Sequence, residues 1–387
     1  MIRLSSRIRA TDAPPIPAAR AWAARYDGRA GPALDLTQAV PGYPPPPELL
    51  AKLAEAAGSA GCAGYGSIAG EPALREAVAA DLSGFYGARI GAAEVAITAG
   101  CNLAFAMALA AVAGEGEAVL LPVPWYFNHR MAMTMAGVRP VPMPTRAEDG
   151  FVPDPARIAK LLAEHRARAV VLVTPNNPTG AVYPAAVIHA IAQSCRAAGA
   201  MLILDETYRD FLPAPRPHAL FDNDAWGEVL IHLYSFSKAY CVPGHRLGAL
   251  AAGPAVMAEL KKAFDTLQIC PPRPTQSALA WAIDATRGWR ESNRALMGRR
   301  AAFFRAAMER APGWSVDAIG TYFAYLRLPD HAPDAMAAAE RLAAERGLMS
   351  LPGPFFGPGQ ERHLRLAFAN AGEEVLAEVP GRLAGVW

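Results

Sequence analysis

Short apolar segments rich in valine, isoleucine and leucine alternate along most of the chain with stretches of helix length. The segments that this pattern predicts as strands are AVLLPV from 118, AVVLVT from 169, MLILDE from 201, VLIHLYSF from 229 and LGALAA from 247. Between two of them, the spacing of Ile188, Ile191 and Cys195 predicts an amphipathic helix that ends before Gly199. Alternation of this kind is typical of an α/β fold in which helices cover both faces of a mostly parallel sheet.

The pattern changes after Pro274. An arginine-rich amphipathic run over 278–310 predicts helix, and the segments TYFAYLRL and HLRLAFA predict short strands, which together indicate a second, smaller α+β unit. Proline-rich segments at 41–47 and 271–274 mark candidate boundaries. We therefore predict an N-terminal arm with part of the small domain at 1–44, a large domain at 45–275 and a small C-terminal domain at 276–387.

Composition narrows the classes of partner. The 387 residues are 52% hydrophobic, and 37 lysines and arginines against 35 acids leave a net charge of only +2. This balance disfavours a nucleic-acid footprint or a polybasic membrane patch, so small molecules are the expected partners. No GxGxxG segment follows a predicted strand, which leaves a dinucleotide-binding domain with little support.

The cysteines and the longest uncharged segment bear on compartment and topology. Five cysteines without a CxxC spacing indicate neither a disulfide framework nor a metal site, and they favour a reducing cytoplasm. The N-terminal residues lack the apolar segment of a secretory signal. Residues 95–114 carry no charge, but they are mostly alanine and glycine, with Thr98, Gly100 and Asn102 among them. We expect a buried helix of a soluble protein there and no membrane span.

Polar clusters follow three of the predicted strands. TPNNPTG includes Asn177, DETY spans Asp205 to Tyr208, and SFSK ends at Lys238, with Arg246 in the PGHRLG segment that comes next. Because ligands of open α/β sheets bind at the carboxyl ends of the strands, we expect these side chains to meet. An aspartate, a tyrosine, an asparagine, a lysine and an arginine placed in this way can hold a phosphorylated heteroaromatic aldehyde.

The segments NNPTG, DETY and SFSKAYCVPGHRLG, in this order and with lysine and arginine eight positions apart, resemble the signature of the fold type I pyridoxal-phosphate enzymes, specifically the class I/II aminotransferases. The resemblance extends from about residue 36 to residue 369. It implies an aspartate-aminotransferase-like fold whose large domain binds pyridoxal 5'-phosphate. It also implies an enzyme that moves an amino group between an L-amino acid and a 2-oxo acid by a ping-pong mechanism.

The resemblance assigns three catalytic residues. Lys238 carries the cofactor as a Schiff base and moves the substrate α-proton, and Asp205 pairs with the pyridine nitrogen. Tyr208 and Asn177 bind the phenolic oxygen of the cofactor. The residues alone leave other interpretations open: Lys238 as a surface lysine, Asp205 as a helix N-cap and Asn177 as a turn residue.

The resemblance also implies a phosphate site and a dimer. The phosphate site combines a cation, two hydroxyls and the start of a helix, namely Arg246, Ser235, Ser237, Gly100, Cys101 and Asn102. Tyr126 matches the aromatic residue that stacks on the cofactor ring, although it is also compatible with an ordinary core position. Tyr65 resembles the tyrosine that reaches the phosphate of the neighbouring subunit, so a homodimer is expected.

On the substrate side, Arg365 resembles the arginine that binds the α-carboxylate, to which Asn177 adds a contact; a solvent-facing strand arginine is the alternative. Ala39 stands in the segment TQAVPGYP where the family usually has glycine, and Asn102 stands where aspartate-specific relatives carry lysine. We therefore expect a neutral or aromatic amino donor. Five residues are candidates for an apolar side-chain pocket, each equally explained by packing: Ile16, Tyr43, Trp125, Tyr322 and Phe323.

Two further hypotheses remain. A carbon–sulfur β-lyase on the same scaffold shares every residue named above, so the motifs do not separate it from a transaminase. A cofactor-binding regulatory module, of the kind fused to DNA-binding winged helices, is less favoured because Lys238 is present and only about 35 residues precede the first motif.

Overall fold

The computed structural model describes residues 3–212 and 216–387 and is built around one large and one smaller sheet. The strands are β1 Leu34–Asp35, β2 Val95–Thr98, β3 Ala118–Val123, β4 Arg139–Pro144, β5 Ala169–Val173, β6 Met201–Asp205, β7 Leu230–Ser235, β8 Gly248–Ala252, β9 Ser315–Gly320, β10 Phe323–Arg327, β11 Leu348–Met349, β12 Leu351–Pro352 and β13 His363–Leu366. The helices are α1 Ser6–Ala10, α2 Pro15–Ala23, α3 Pro47–Ala57, α4 Pro72–Tyr86, α5 Cys101–Val112, α6 Phe127–Ala136, α7 Pro155–His165, α8 Ala185–Ala198, α9 Phe236–Ala239, α10 Pro254–Gln268, α11 Arg273–Ala285, α12 Arg287–Met308, α13 Ala335–Arg346 and α14 Glu373–Leu383.

The large sheet has the order β2-β8-β7-β6-β5-β3-β4. All neighbouring pairs are parallel except the two that β8 makes with β2 and β7. Alternate residues enter two separate cores: Val170 and Leu172 of β5 pack on one face of the sheet, whereas Val171 packs on the other. A strand buried on both faces is a continuous apolar run, which explains the pattern that predicted it. The expected α/β class with a mostly parallel sheet is confirmed.

The smaller sheet is antiparallel, with the order β12-β13-β10-β9, while β1 pairs in parallel with β11 nearby. Its core contains Phe304 from α12, Leu342 from α13 and Leu364 from β13. Leu34, from the N-terminal part of the chain, packs in the same core. The predicted α+β character of the C-terminal part is thereby confirmed, whereas the exact domain boundaries stay predictions.

The arginine-rich run over 278–310 differs from the expected single helical stretch. It is divided between α11, which begins earlier, and α12, and the two helices meet at Thr286. Leu279 of α11 packs in the core of the large sheet, whereas Phe304 of α12 packs in the core of the small one. The two helices therefore contribute apolar residues to different cores.

The uncharged segment 95–114 is also composite. Its first four residues form β2, and α5 begins after Gly100, as expected for a glycine that starts a helix. Within the described ranges, no helix is both long and apolar enough to cross a membrane.

Candidate active site

A cavity of about 470 Å³ opens where β5, β6 and β7 end. Among its described lining residues the charged ones are Asp205, Lys238, Arg246 and Arg365, so three cations face one carboxylate. Twelve residues expected at the site line this cavity: Ala39, Cys101, Asn102, Tyr126, Asn177, Asp205, Tyr208, Ser235, Ser237, Lys238, Arg246 and Arg365. The carboxyl ends of neighbouring parallel strands therefore gather the sequence motifs as expected.

Lys238 lies in the short helix α9, directly after β7. Its amine donates a hydrogen bond to the carbonyl oxygen of Ala39, in the loop that follows β1. Burial, together with the positive charges of Arg365 and Arg246, lowers the pKa of Lys238 to about 8. An amine with this pKa is partly unprotonated near neutral pH, so it can act as a nucleophile or a base.

Asp205, the last residue of β6, is held by three donors. One oxygen accepts hydrogen bonds from the Thr207 amide at 3.0 Å and the Thr207 hydroxyl at 2.7 Å. The other lies 3.3 Å from Nε2 of His129, whose ring stacks on Phe105 with centroids 4.0 Å apart. Burial works to raise the pKa of Asp205, but the His129 and Thr207 interactions outweigh it and lower the pKa below its usual value. The aspartate is thus a buried carboxylate and does not act as a helix cap.

The N-terminus of α5 forms a cradle with Arg246. Gly100 has φ +97°, and a Cβ added there would lie 2.4 Å from Nη2 of Arg246. A Cβ added at Gly248 would lie 2.6 Å from the amide nitrogen of Cys101. The amides of Cys101 and Asn102 stand in the first helical turn, where no intrahelical acceptor exists. The two glycines therefore keep a cation and free amides accessible to an anion.

The serines that end β7 complete this corner. Ser235 caps α9 by accepting a hydrogen bond from the Ser237 amide at 3.3 Å, and both serines line the cavity. Arg246 is positioned by its own hydrogen bond to the carbonyl oxygen of Pro243, at 2.9 Å. Hydroxyls, amides and a guanidinium together make a set of donors suited to a phosphate group.

Arg365 in β13 is only 2% exposed, so the solvent-facing alternative is wrong. Its guanidinium lies over the rings of Phe323 and Phe356, 4.9 and 5.3 Å from their centroids. It donates to the side-chain oxygen of Asn177 at 3.1 Å and to the carbonyl oxygen of Thr37. Burial lowers the pKa of Arg365 to about 10, which still leaves it charged at neutral pH.

The adjacent asparagines after β5 have different surroundings. Asn176 holds the turn, because its oxygen accepts from the Thr179 amide at 3.1 Å and its nitrogen lies 3.2 Å from the Tyr183 hydroxyl. Asn177 lines the cavity and contacts Arg365. The turn chemistry considered as an alternative for Asn177 therefore belongs to its neighbour.

Two tyrosines border the cavity. Tyr208 packs against Tyr322, with ring centroids 5.1 Å apart, and burial raises the pKa of the Tyr208 hydroxyl well above its usual value. Tyr208 is therefore protonated and available as a hydrogen-bond donor. The hydroxyl of Tyr126 lies 3.4 Å from the side-chain oxygen of Asn102 and accepts a hydrogen bond from Asn128 at 2.8 Å.

Some expectations fall outside the cavity. Tyr65 is 81% exposed and does not line it. Of the candidate apolar pocket residues, only Ile16 lines the cavity, whereas the others do not reach it: Tyr43, Trp125, Tyr322 and Phe323.

Sequence reasoning also missed several residues of the site, namely Gln38, Asn128, His129 and Thr207. The sequence does offer one indication of His129, because this residue lies in the first turn of a helix that follows a buried strand.

These residues fit pyridoxal 5'-phosphate. The cradle at Gly100 accepts a phosphate, the buried carboxylate of Asp205 suits a protonated ring nitrogen, and the amine of Lys238 suits an aldehyde. Arg365 provides a separate cation for a carboxylate on the substrate side.

Comparisons with known proteins agree with this arrangement. The family model "Aminotransferase class I and II" matches residues 32–383. The aromatic aminotransferase ISS1 of Arabidopsis thaliana is 28% identical, with 98% of this chain and 95% of that protein covered. The substrate-bound structure of BacF from Bacillus subtilis has a TM-score of 0.91 at 26% identity, covering 99% of this chain and 97% of that one. The aspartate aminotransferase of Thermus thermophilus with maleate has a TM-score of 0.89 at 27% identity, with full coverage of both chains.

Proposed function

The chain belongs to the class I and II aminotransferase family, and on that premise we propose that it moves the amino group of a neutral or aromatic L-amino acid to a 2-oxo acid by a ping-pong mechanism. One observation carries this proposal. Lys238, Arg246 and Arg365 line one cavity, and among the described residues none of the three has a carboxylate within 4 Å. Arg365 is buried and Lys238 half-buried, and a cation withdrawn from water without an anionic partner is costly, whereas Arg246 is exposed to incoming ligands. The cavity is therefore suited to ligands that bring negative charge.

The enzyme is a pyridoxal-phosphate-dependent transaminase. When bound, the cofactor supplies an aldehyde that combines with amines and a ring that takes up the electrons released when the α-carbon loses a proton. We assign the aldehyde to Lys238, the ring nitrogen to Asp205 and the phenolic oxygen to Tyr208 and Asn177. The phosphate is assigned to Arg246, Ser235, Ser237 and the start of α5 at Gly100, Cys101 and Asn102.

In this assignment Lys238 moves the proton. Its pKa of about 8 lets its amine accept and release a proton near neutral pH. The negative charge of Asp205 holds a proton on the group that it faces, and His129 and Thr207 support that charge.

Arg365 orients the substrate in this proposal. A guanidinium offers two parallel N–H donors to a carboxylate, and its contacts with the rings of Phe323 and Phe356 help to hold it in place. Holding the α-carboxylate in this way selects which α-carbon bond faces Lys238. Asn177, which already contacts Arg365, is placed to add a second donor.

The preference for a neutral donor follows from the same cations. Lys238 is assigned to the aldehyde, Arg246 to the phosphate and Arg365 to the α-carboxylate. The described lining of the cavity offers no fourth cation for a carboxylate on the substrate side chain. Asn102 occupies the place where a lysine would serve that purpose.

Mixing the holoenzyme with single amino acids, without any oxo acid, tests the function. We expect a stoichiometric loss of the cofactor absorbance that an added 2-oxo acid restores. Lys238→Ala should abolish turnover, whereas Lys261→Ala, which removes an exposed lysine, should not. Near-full turnover by Lys238→Ala would refute the assignment. Continuous release of ammonia and pyruvate from cysteine or cystathionine would instead identify a carbon–sulfur β-lyase.

We also propose a homodimer in which Tyr65 reaches the cavity of the neighbouring subunit. Its high exposure supports this, as does a group of exposed apolar side chains on neighbouring elements: Leu50, Leu267, Ile269 and Trp281. The cytoplasm is the proposed location, which the five free cysteines support because thiols persist in a reducing compartment.

A further inference from the structure

We propose that the amino donor carries a carboxamide side chain, as glutamine and asparagine do, an inference that narrows the proposed function and rests on it. Besides Asn177, which contacts Arg365, three residues that line the catalytic cavity carry amide side chains: Gln38, Asn102 and Asn128. They come from three different parts of the fold, namely the loop after β1 and the first turns of α5 and α6. The groups assigned to the aldehyde, the ring and the carboxylate leave the side chains of Gln38 and Asn128 without a role.

Asn102 and Asn128 are joined through Tyr126. The nitrogen of the Asn128 amide donates to the Tyr126 hydroxyl at 2.8 Å, and that hydroxyl lies 3.4 Å from the oxygen of the Asn102 amide. The remaining groups are the Asn102 amide nitrogen and the Asn128 amide oxygen, and neither bonds to a residue in the described ranges. These two residues of the cavity lining therefore keep one donor and one acceptor that a ligand can use.

Gln38 stands between two residues that contact the catalytic cations. The carbonyl oxygen of Thr37 accepts a hydrogen bond from Arg365, and that of Ala39 accepts one from Lys238. The backbone of Gln38 is fixed because its own carbonyl oxygen accepts from Asn370 at 3.1 Å. Its side-chain amide makes no hydrogen bond to any part of the chain that the structure describes. A third amide is thus free beside the groups proposed to hold the α-carbon.

The chemistry of these amides discriminates among side chains. A charged side chain finds no partner of opposite charge, because the cations of the cavity are already assigned. A hydrocarbon side chain would cover donors and acceptors without replacing the hydrogen bonds they make to water, which is unfavourable. A carboxamide offers both an acceptor and a donor, while its methylene groups can contact Ile16 and Phe127, which also line the cavity. A site that hydrogen-bonds a substrate discriminates strongly against analogues lacking those groups.

Matched substrates test the proposal on the holoenzyme. Glutamine is compared with glutamate and with 2-amino-5-methylhexanoic acid, its hydrocarbon counterpart in shape. Asparagine is compared with aspartate and leucine in the same way. We expect kcat/KM for at least one amide to exceed that of both counterparts by about 10-fold or more. An equal or higher value for the acid or the hydrocarbon in both series would overturn the proposal.

Two variants locate the discrimination. Asn128→Leu and Gln38→Leu should each lower the ratio of amide to hydrocarbon kcat/KM by about 10- to 100-fold. Gln193→Leu, which removes an exposed amide on α8, is the control and should leave the ratio unchanged. Dissociation constants of the unreactive α-methyl analogues should change in parallel, which reports binding independently of turnover.

An unchanged ratio in both variants would overturn the inference. Two variants are used so that the test still stands if one of them fails to fold. The outcomes also separate this inference from the proposed function. If leucine or phenylalanine is a good donor and both amides are poor, only the carboxamide proposal fails. If no amino acid is converted and Lys238 does not bind the cofactor, the proposed function itself fails.

Discussion

At the scale of single residues, the charge of Asp205 depends on a neighbour that the motifs did not reveal. His129 supplies the contact to one carboxylate oxygen, while Thr207 serves the other. We expect His129→Phe to keep the stacking on Phe105 but to raise the pKa of Asp205, and so to lower kcat by about tenfold, equivalent to about 1.4 kcal/mol.

Measuring kcat across pH checks this positioning role. The low-pH limb of the profile should shift upward in His129→Phe, because the carboxylate takes up a proton more easily. His189→Phe, an exposed change on α8, serves as the control. Unaltered kcat and an unaltered profile would show that Thr207 alone supports the charge.

Lys238 permits a prediction about pH. Because its pKa is lowered to about 8, the amine of the cofactor-free protein is mostly protonated below pH 8 and mostly neutral above it. Since the neutral amine is the nucleophile, the rate of cofactor attachment should rise about tenfold per pH unit below 8 and level off above it. Borohydride trapping followed by mass spectrometry measures this rate.

Arg365→Gln tests the cause of the lowered pKa. Removing a positive neighbour should raise the pKa of Lys238 and move the midpoint of the attachment profile to higher pH. A midpoint near the ordinary lysine value of 10.5 in the unaltered protein would contradict the role given to burial and to the two arginines.

At the scale of elements, the start of α5 depends on a residue without a side chain. Gly100→Ala places a Cβ against the guanidinium of Arg246 and forces alanine into a conformation with φ +97°. We expect cofactor affinity to fall by about 10- to 100-fold, because Arg246 must move away from the helix N-terminus. Gly84→Ala, where nothing lies within 4 Å of the added Cβ, should leave affinity unchanged in the same spectroscopic titration.

The elements also show what the sequence predicts and where it fails. Apolar runs identified β3, β5, β6, β7 and β8, because burial on both faces leaves a continuous pattern, and the polar clusters behind them identified residues that line the cavity. Two strands of the large sheet were missed: β2 lies in the segment expected to be helical, and β4 carries three prolines. The antiparallel direction of β8 is invisible in that pattern, since both directions bury the same residues. His129 escaped because its contact with Asp205 joins residues 76 positions apart.

The neighbouring acids Asp205 and Glu206 show the same limit of prediction from the sequence. Asp205 and Glu206 are equivalent in the sequence, but only Asp205 lines the cavity. Glu206 instead accepts hydrogen bonds from Tyr86, His218 and His232 in a fully buried cluster. The family resemblance selected the right residue, whereas residue type alone could not.

At the scale of the whole molecule, the near-neutral net charge conceals a strong local imbalance. The net charge of the chain is only +2, and many surface charges form ion pairs, whereas the cavity is lined by three cations and one carboxylate. The overall charge of the chain therefore gave no indication that three cations are concentrated at one site.

The last prediction concerns the surface that the proposed dimer would bury. Tyr65 is adjacent to α11, because Arg273, the first residue of that helix, donates to the carbonyl oxygen of Gly64 at 3.2 Å. Trp281 on the same helix is 38% exposed, and α11 packs on α3, which exposes Leu50. An apolar face that includes a large aromatic residue is typical of a subunit interface, and a twofold dimer would bury it against its own copy.

We expect Trp281→Glu to convert the dimer to a monomer, as measured by analytical ultracentrifugation. In the dimer the new carboxylate would be buried in the interface, either opposite the same carboxylate of the second copy or without a partner of opposite charge, and both arrangements are unfavourable. Val182→Glu, a change at an exposed apolar residue away from these helices, should leave the dimer intact. If Tyr65 completes the neighbouring phosphate site, the monomeric variant should also bind the cofactor more weakly, and Tyr65→Phe should weaken binding without dissociating the dimer. A monomeric unaltered protein that binds the cofactor tightly would contradict both parts.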